Sequence, residues 1–518
     1  MNFEQGILSL EVLLRMRSVI RNSLFEIRHS TGSGHRLNPV KWILPAILFL
    51  GWPTLNADDF PDEAEILAAM TKAATFHHEQ LSMNGGYASS WDEETGIGYS
   101  EHRESKSLIS IQPHGTTTIG LRMLRAYQVT GETVFLDAAE GAAVALATSQ
   151  LSSGGWEADY EFDPEFTSKR HWRTDLERGD TDPGKRKAVS TLDDHKTTSA
   201  LQFLLEFVHA EEVAPSDEVA RALEFGIDAL LGSQFPNGGW PQRFTGPADP
   251  NVPVAKAGIP DDWPREWPRE DYGNFVTLND GNLAHIMRFL LRAHELTGEA
   301  RFLKAAVRLG DFFLLAQLPE PQPAWAQQYD EQMHPVWARK FEPPAVSSVE
   351  SYSAAETLLL IWQSTAEEKY RLTALAGLEW IQNSQLPDGS WARFYELETN
   401  QPLYCEADTY ELTYKDDNLP THYGFKVDDG LGRKVERLIE RFQLTPEESL
   451  QKEALPQWAA TWEKRAKGLR GKVRQAIESM ENEGYWMDDG KIDAGLFVKH
   501  VGVMTDYLEA MQESRKPD

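Results

Sequence analysis

Apolar positions in the stretch 301–317 recur at helical spacing: Phe302, Ala306, Leu309, Phe313 and Ala316 fall on one face of a 3.6-residue period. The segment before it, "NLAHIMRFLLRAHELTG", carries a second apolar stripe and ends at Gly298, a residue suited to the left-handed turn that closes a helix. The pair predicts a helical hairpin. Its exit is a Pro-rich turn carrying Trp325.

That exit recurs along the chain. "SQLSSGGW" ends at Trp156, "SQFPNGGW" at Trp240, "AQLPEPQPAW" at Trp325 and "SQLPDGSW" at Trp391, with spacings of 84, 85 and 66 residues. A looser copy, "EQLSMNGGY", ends at Tyr87. Helix-opening marks begin at His114, His195, Gly281 and Val349, and the following Trp lies 42, 45, 44 and 42 residues further on. A unit of near-constant length that cannot bury its apolar face alone stacks on copies of itself, as an open solenoid or a closed ring. After Trp391 the pattern is expected to stop, with helices over about 430–515 closing the fold. Between repeats, long segments rich in Pro, Asp and aromatic residues read as irregular loops, which at this length are commonly functional.

Composition narrows the chemistry. Asp and Glu outnumber Lys and Arg by 80 to 51, a formal charge of -29, which disfavours nucleic acid as a partner because no basic excess meets the phosphates. A polyanionic ligand therefore needs local cations or a bound metal. Cys405 stands alone, so no disulfide forms within the chain. The leader joins His35, Arg36 and Lys41 to an apolar run over 42–52 and then to Ala57, the layout of a signal peptide cleaved near Ala57. An uncleaved anchor is the alternative, and the lead 1–34 reads as an over-called start. The expected organisation is a leader over 1–57 and a catalytic domain over 58–518, with repeats across about 62–400. A secreted or periplasmic monomer is expected, with no stable membrane partner unless the leader stays attached.

Two helix openings stand out: "TLDDHKTTSALQFL" from Thr191 and "TLNDGNLAHIMRFL" from Thr277. Asp193, Asp194 and Asp280 lie at equivalent places in consecutive repeats. They fit two readings, helix N-caps or carboxylates converging at one end of the array on a hard, oxygen-preferring cation such as calcium. The Trp turns add cations and aromatics in "GGWPQRF", "AWAQQYDEQMHPVWARKFEPP" and "GSWARFYELETNQP". Here too there are two readings: Trp wedges with Arg capping helix ends, or rings and guanidinium forks arranged for a carboxylated sugar.

The strings "NGGWPQRF", "VTLNDGNLAHIMRFL", "WAQQYDEQMHPVWARKFEPPAVSSVES" and "DGSWARFYELETNQP" resemble the family 10 pectate lyases in content, order and spacing, over roughly 193–402. The resemblance implies an all-α fold, an α/α toroid of repeated helical hairpins with long irregular loops, that cleaves polygalacturonate, an acidic polysaccharide, by calcium-assisted β-elimination. It implies calcium ligation by Asp193, Asp194 and Asp280, Arg339 as catalytic base and Arg393 as a substrate-binding residue. Gln327 and Tyr329 fall in the block that resembles the sugar-binding groove. An arginine base wants cations nearby to favour its neutral form, and its activity rises towards alkaline pH.

The sequence departs from that family in two places. "DDHKTT" stands for the usual "DNxAT", so Asp194 replaces an Asn and Lys196 brings an ammonium beside the acids, either to bind a substrate carboxylate or to offset the pair. After Pro402, "LYCEADTYE" replaces a Gly-Arg-Asp-Gly stretch, and Glu406 would repel an anionic polymer. Two other functions fit the same residues: an inverting glycoside hydrolase with Asp194 and Asp280 as base and acid, or a non-catalytic pectin-binding homologue.

Overall fold

The structure is a computed structural model and describes residues 60–454 and 461–516. The leader and the cleavage position at Ala57 lie outside the described residues. The helices that build the fold are α1 (Glu63–Phe76), α2 (Thr116–Thr130), α3 (Thr133–Thr148), α4 (Lys196–Val208), α5 (Asp217–Gly232), α6 (Asn282–Thr297), α7 (Ala300–Ala316), α8 (Ser348–Thr365), α9 (Glu368–Asn383), α10 (Gly430–Phe442), α11 (Pro446–Ala454), α12 (Trp462–Glu478) and α13 (Ala494–Glu513). Four antiparallel hairpins, α2–α3, α4–α5, α6–α7 and α8–α9, stand side by side. Their first helices form the inner layer: α2 packs on α4, α4 on α6 and α6 on α8, while α13 packs back on α2. The second helices lie outside them. The architecture is an α/α toroid with a core shared by all the hairpins.

Each mark in the sequence has a bond to make. The indole N–H of Trp156 donates to Leu146 O at 2.9 Å, that of Trp240 to Leu230 O at 2.8 Å and that of Trp391 to Ile381 O at 2.6 Å, each closing the C-terminus of its own outer helix. The preceding Gln staples one repeat to the next. Gln150 Nε2 donates to Gly154 O and to Ala222 O on α5; Gln234 Nε2 donates to Gly238 O and to Ala305 O on α7. Gly238 sits at φ +95°, and a Cβ there would lie 2.0 Å from Arg308 O, so only glycine fits. Gly238→Ala is expected to destabilise the protein by about 2–4 kcal/mol, read from a denaturant midpoint, through this clash and the left-handed backbone together.

The repeat does not stop at Trp391. Trp486 donates its indole N–H to Ala476 O at 2.9 Å, as the earlier copies do, and the hairpin it marks is α12–α13. The order is permuted, with the outer helix α12 coming first and the inner helix α13 closing against α2.

Short antiparallel ladders join the entry and exit of each hairpin: Leu108–Ser110 with Asp159–Glu161, Ser190–Thr191 with Arg243–Phe244, Val276–Thr277 with Gln328–Tyr329, and Val346–Ser347 with Phe394–Tyr395. They place the openings of the inner helices and the residues just after each Trp on one rim. The loops of that rim are more ordered than their composition suggests. The first carries two helical turns, Pro164–Ser168 and Arg173–Glu177, and the second buries Val252, Ala257 and Trp263.

Candidate functional site

The twin openings share an unusual backbone. Asp194 and His195 adopt φ 46° and 63°, and Asp280 and Gly281 adopt φ 54° and 67°, so each inner helix begins after two left-handed residues. Left-handed backbone costs roughly 1–2 kcal/mol at each non-glycine residue. It returns no helix cap, since α4 and α6 begin without any side-chain cap bond. The capping reading of these acids is therefore set aside. What the kinks achieve is convergence: one oxygen each of Asp193, Asp194 and Asp280 lies within 4.8 Å of the others.

Their partners come from four parts of the ring. Gln242 Nε2 donates to Asp193 Oδ1 at 2.9 Å, and Gln112 Nε2 to Asp194 Oδ2 at 3.4 Å. Lys196 Nζ lies 3.4 Å from Asp193 Oδ2 and 3.1 Å from Asp194 Oδ2. Asn279 Nδ2 donates to Asp280 Oδ2 at 2.5 Å. The His195 and His285 rings meet with centroids 3.4 Å apart and planes tilted by 31°. Burial works to lower the pKa of Lys196, but the charges of Asp193 and Asp194 outweigh it and hold the ammonium protonated.

Asp280 is exposed by surface area, yet protein crowds one side of its carboxyl. That desolvation leads the causes that push its pKa up to about 7; Asp194 and Glu350 add repulsion, and Arg393 offsets part of it. The wet outer edge screens some of this strain. A carboxyl raised in the folded state stabilises the fold at low pH, and that contribution is lost as pH rises from the ordinary carboxylate range through about 7. In chelator at pH 8, Asp280→Asn should therefore raise Tm by about 1–2 °C, and the difference should shrink below pH 7 and vanish only near pH 4, at the ordinary carboxylate value.

A second cluster continues from the first. Arg393 donates to Glu350 Oε1 at 2.7 Å and to Asn279 Oδ1 at 3.3 Å, which ties it to the Asp280 turn. The Tyr423 ring lies 4.6 Å from the Arg393 guanidinium and 5.6 Å from that of Arg339. Its hydroxyl donates its one proton to Glu342 Oε1 at 2.9 Å and lies 3.2 Å from Gln327 Oε1. Arg339, 42% exposed, forks onto Glu342 with Nε at 2.8 Å and Nη2 at 2.5 Å, and its backbone N–H adds a third bond at 3.0 Å. Neither arginine caps a helix.

The surroundings of Arg339 differ from those expected of an arginine base. Burial alone would lower its pKa, but the bonds and charge of Glu342 outweigh burial and raise it. On Glu342, likewise, burial pushes upward and the Arg339 fork pulls the pKa below the usual carboxylate range. In the free protein the pair is ionised.

Gln327 and Tyr329 do not face a groove. Tyr329 is 0% exposed and its hydroxyl accepts the Ala326 N–H at 2.6 Å, as Tyr395 accepts the Ala392 N–H at 3.1 Å one repeat later. Four residues after each Trp is a wedge position, and a buried wedge offers no sugar platform. Gln327, also buried, orients Tyr423 and Glu342 instead. Tyr423, Glu342, Glu350 and Gln112 join this cluster and were missed by sequence reasoning.

Three hard carboxylates fit a divalent cation in donor chemistry. The spacing does not fit an inverting hydrolase, whose two carboxyl groups stand about 6.5–9.5 Å apart to admit a water.

A family model described as pectic acid lyase matches residues 159–390. No curated protein matches the chain. Among solved structures, a family 10 polysaccharide lyase from Cellvibrio cellulosa is 18% identical with a TM-score of 0.41, covering 62% of this chain and 95% of that one. An aspartate-to-alanine variant of that lyase, in complex with trigalacturonic acid, is also 18% identical, with a TM-score of 0.41 and coverage of 63% and 99%. A cellobiose 2-epimerase from Bacillus thermoamylovorans is 12% identical with a TM-score of 0.42, covering 86% and 100%. The toroid rests on the helix packing of this chain rather than on those likenesses. Residues 159–390, where the acidic openings, Trp-marked turns and Arg339 follow one another, are therefore similar to the pectic acid lyase family.

Proposed function

We propose that the protein is a polysaccharide lyase that cleaves polygalacturonate by β-elimination outside the cytoplasm. The observation that carries this reading is the unbroken path Asp280–Asn279–Arg393–Tyr423–Glu342–Arg339 along one rim, which runs from a cluster of three carboxylates past one guanidinium to a second, more exposed one. The pectic acid lyase match over 159–390 supports the same reaction class.

The proton on C5 of a uronate is α to a carboxylate, so its removal builds negative charge on that group, and a site that lowers the barrier must oppose this charge. Asp193, Asp194 and Asp280 would hold the divalent ion, calcium by the all-oxygen donor set, which when bound supplies positive charge at the substrate carboxylate. Arg393 is fixed by Glu350 and Asn279, so its planar fork is oriented before the polymer arrives. Arg339 is the more exposed guanidinium of the pair, and in this reading it is the group that would meet the C5 proton. To take that proton it must first be neutral, and Glu342 sets how alkaline the solution must be.

Purified protein incubated with polygalacturonate at alkaline pH, with calcium or with chelator, should release a product absorbing in the ultraviolet only with calcium. Signal that survives chelation would remove the ion from the reaction. Binding without any product would leave a pectin-binding protein instead.

A further inference from the structure

The twin openings invite a residue-by-residue comparison. Asp193 corresponds to Asn279, Asp194 to Asp280, His195 to Gly281 and Lys196 to Asn282. The first copy therefore carries one extra carboxylate and one extra ammonium, and with neutral histidine the two copies have equal net charge. The two final positions also differ in what they touch. Asn282 is 2% exposed, and neither its side-chain oxygen nor its nitrogen has a partner. The Lys196 side chain, 5% exposed, reaches both acids of its own turn. Its ammonium sits on the Oδ2 atoms of Asp193 and Asp194, inside the same group of carboxylates that would ligate a divalent ion.

We propose that Lys196 is a resident counter-cation that weakens divalent-ion binding by the free protein and makes room, electrostatically, for an anionic sugar once the ion is bound. The charges decide the sign. With all three acids ionised, as at alkaline pH, three carboxylates and one ammonium sum to two negative charges, which one divalent ion neutralises, so a uronate carboxylate can then approach without net repulsion. Without the ammonium the same ion leaves the cluster negative, binds more tightly by itself, and the uronate meets a like charge. Lys196 thus trades affinity for the ion against affinity for the polyanion. The uronate half of the proposal rests on the function proposed above; the metal half does not.

Isothermal titration of calcium into the wild type, Lys196→Met and Lys196→Arg tests both halves, followed by titration of trigalacturonate at saturating calcium. Lys196→Met should bind calcium at least tenfold more tightly and trigalacturonate at least tenfold more weakly, while Lys196→Arg stays near the wild type. Lys196→Gln, which keeps a hydrogen-bond donor, serves the same comparison if circular dichroism shows that the methionine variant does not fold. Unchanged or weaker calcium binding in the neutral variants overturns the proposal. If calcium tightens as expected but no variant, nor the wild type, binds trigalacturonate, the counter-cation stands and the uronate reading falls.

Discussion

Arg339→Ala is expected to lower kcat on polygalacturonate by about a thousandfold, since positioned proton transfer contributes roughly 10²–10⁴. The alanine variant also strands Glu342, which is 1% exposed and receives three hydrogen bonds from Arg339. Leaving a buried carboxylate unpaired costs about 3–5 kcal/mol. Its sign with pH can be worked out. In the wild type Glu342 has a depressed pKa, so its stabilising contribution is present above the ordinary carboxylate range and is lost as pH falls through the folded value. In Arg339→Ala burial outweighs the remaining bonds from Tyr423 and Gln327 and raises that pKa, so the Tm deficit should grow between pH 5 and pH 8. Arg339→Lys separates the two effects. A lysine keeps a positive charge against Glu342 but not the fork, so the protein should melt near the wild-type temperature while turnover falls by about a hundredfold or more. Wild-type turnover in Arg339→Lys would show that the guanidinium has no chemical role.

What the sequence made legible was whatever repeats. The Trp and Gln of the exit turns are bonded to backbone a few residues away, so local physics writes them at near-constant spacing and the hairpin can be read from them. The acids of the twin openings were visible for the same reason. Trp486 escaped because its neighbours read "EGYW" rather than "GGW", and because its hairpin runs outer helix first. Tyr423 and Gln112 escaped for other reasons. Tyr423 meets Glu342 across 81 residues from a loop after the last Trp mark, outside the repeat register; Gln112, two residues before the His114 mark, is in register with Asp193 but is an amide, so its opening did not stand out as acidic. Tyr329 was misplaced because a tyrosine can serve as a platform or as a wedge; its equivalence to Tyr395 decides for the wedge.

Glu342→Gln tests the most demanding step of the mechanism, because the carboxylate both orients Arg339 and holds it protonated. An opposite charge at hydrogen-bond distance shifts a pKa by about 1–3 units, so its removal should lower that of Arg339 by at least about one unit. If neutral Arg339 accepts the C5 proton, each unit exposes roughly tenfold more of the reactive form at a given pH. The alkaline midpoint of the pH–rate profile then moves down by about one unit or more. Maximal turnover should fall at the same time, by about tenfold or more, because glutamine offers one acceptor where the carboxylate offered two and the guanidinium loses its fixed plane. A lower maximum with an unmoved midpoint would mean that Arg339 acts only as a cation, and another group on the rim would have to take the proton. Tyr423→Phe gives the comparison: it removes the hydroxyl bond to Glu342 and leaves the Arg339 fork intact. It should therefore reduce the rate without moving the midpoint, which makes the direction of the shift in Glu342→Gln a property of the carboxylate charge rather than of any disturbance nearby.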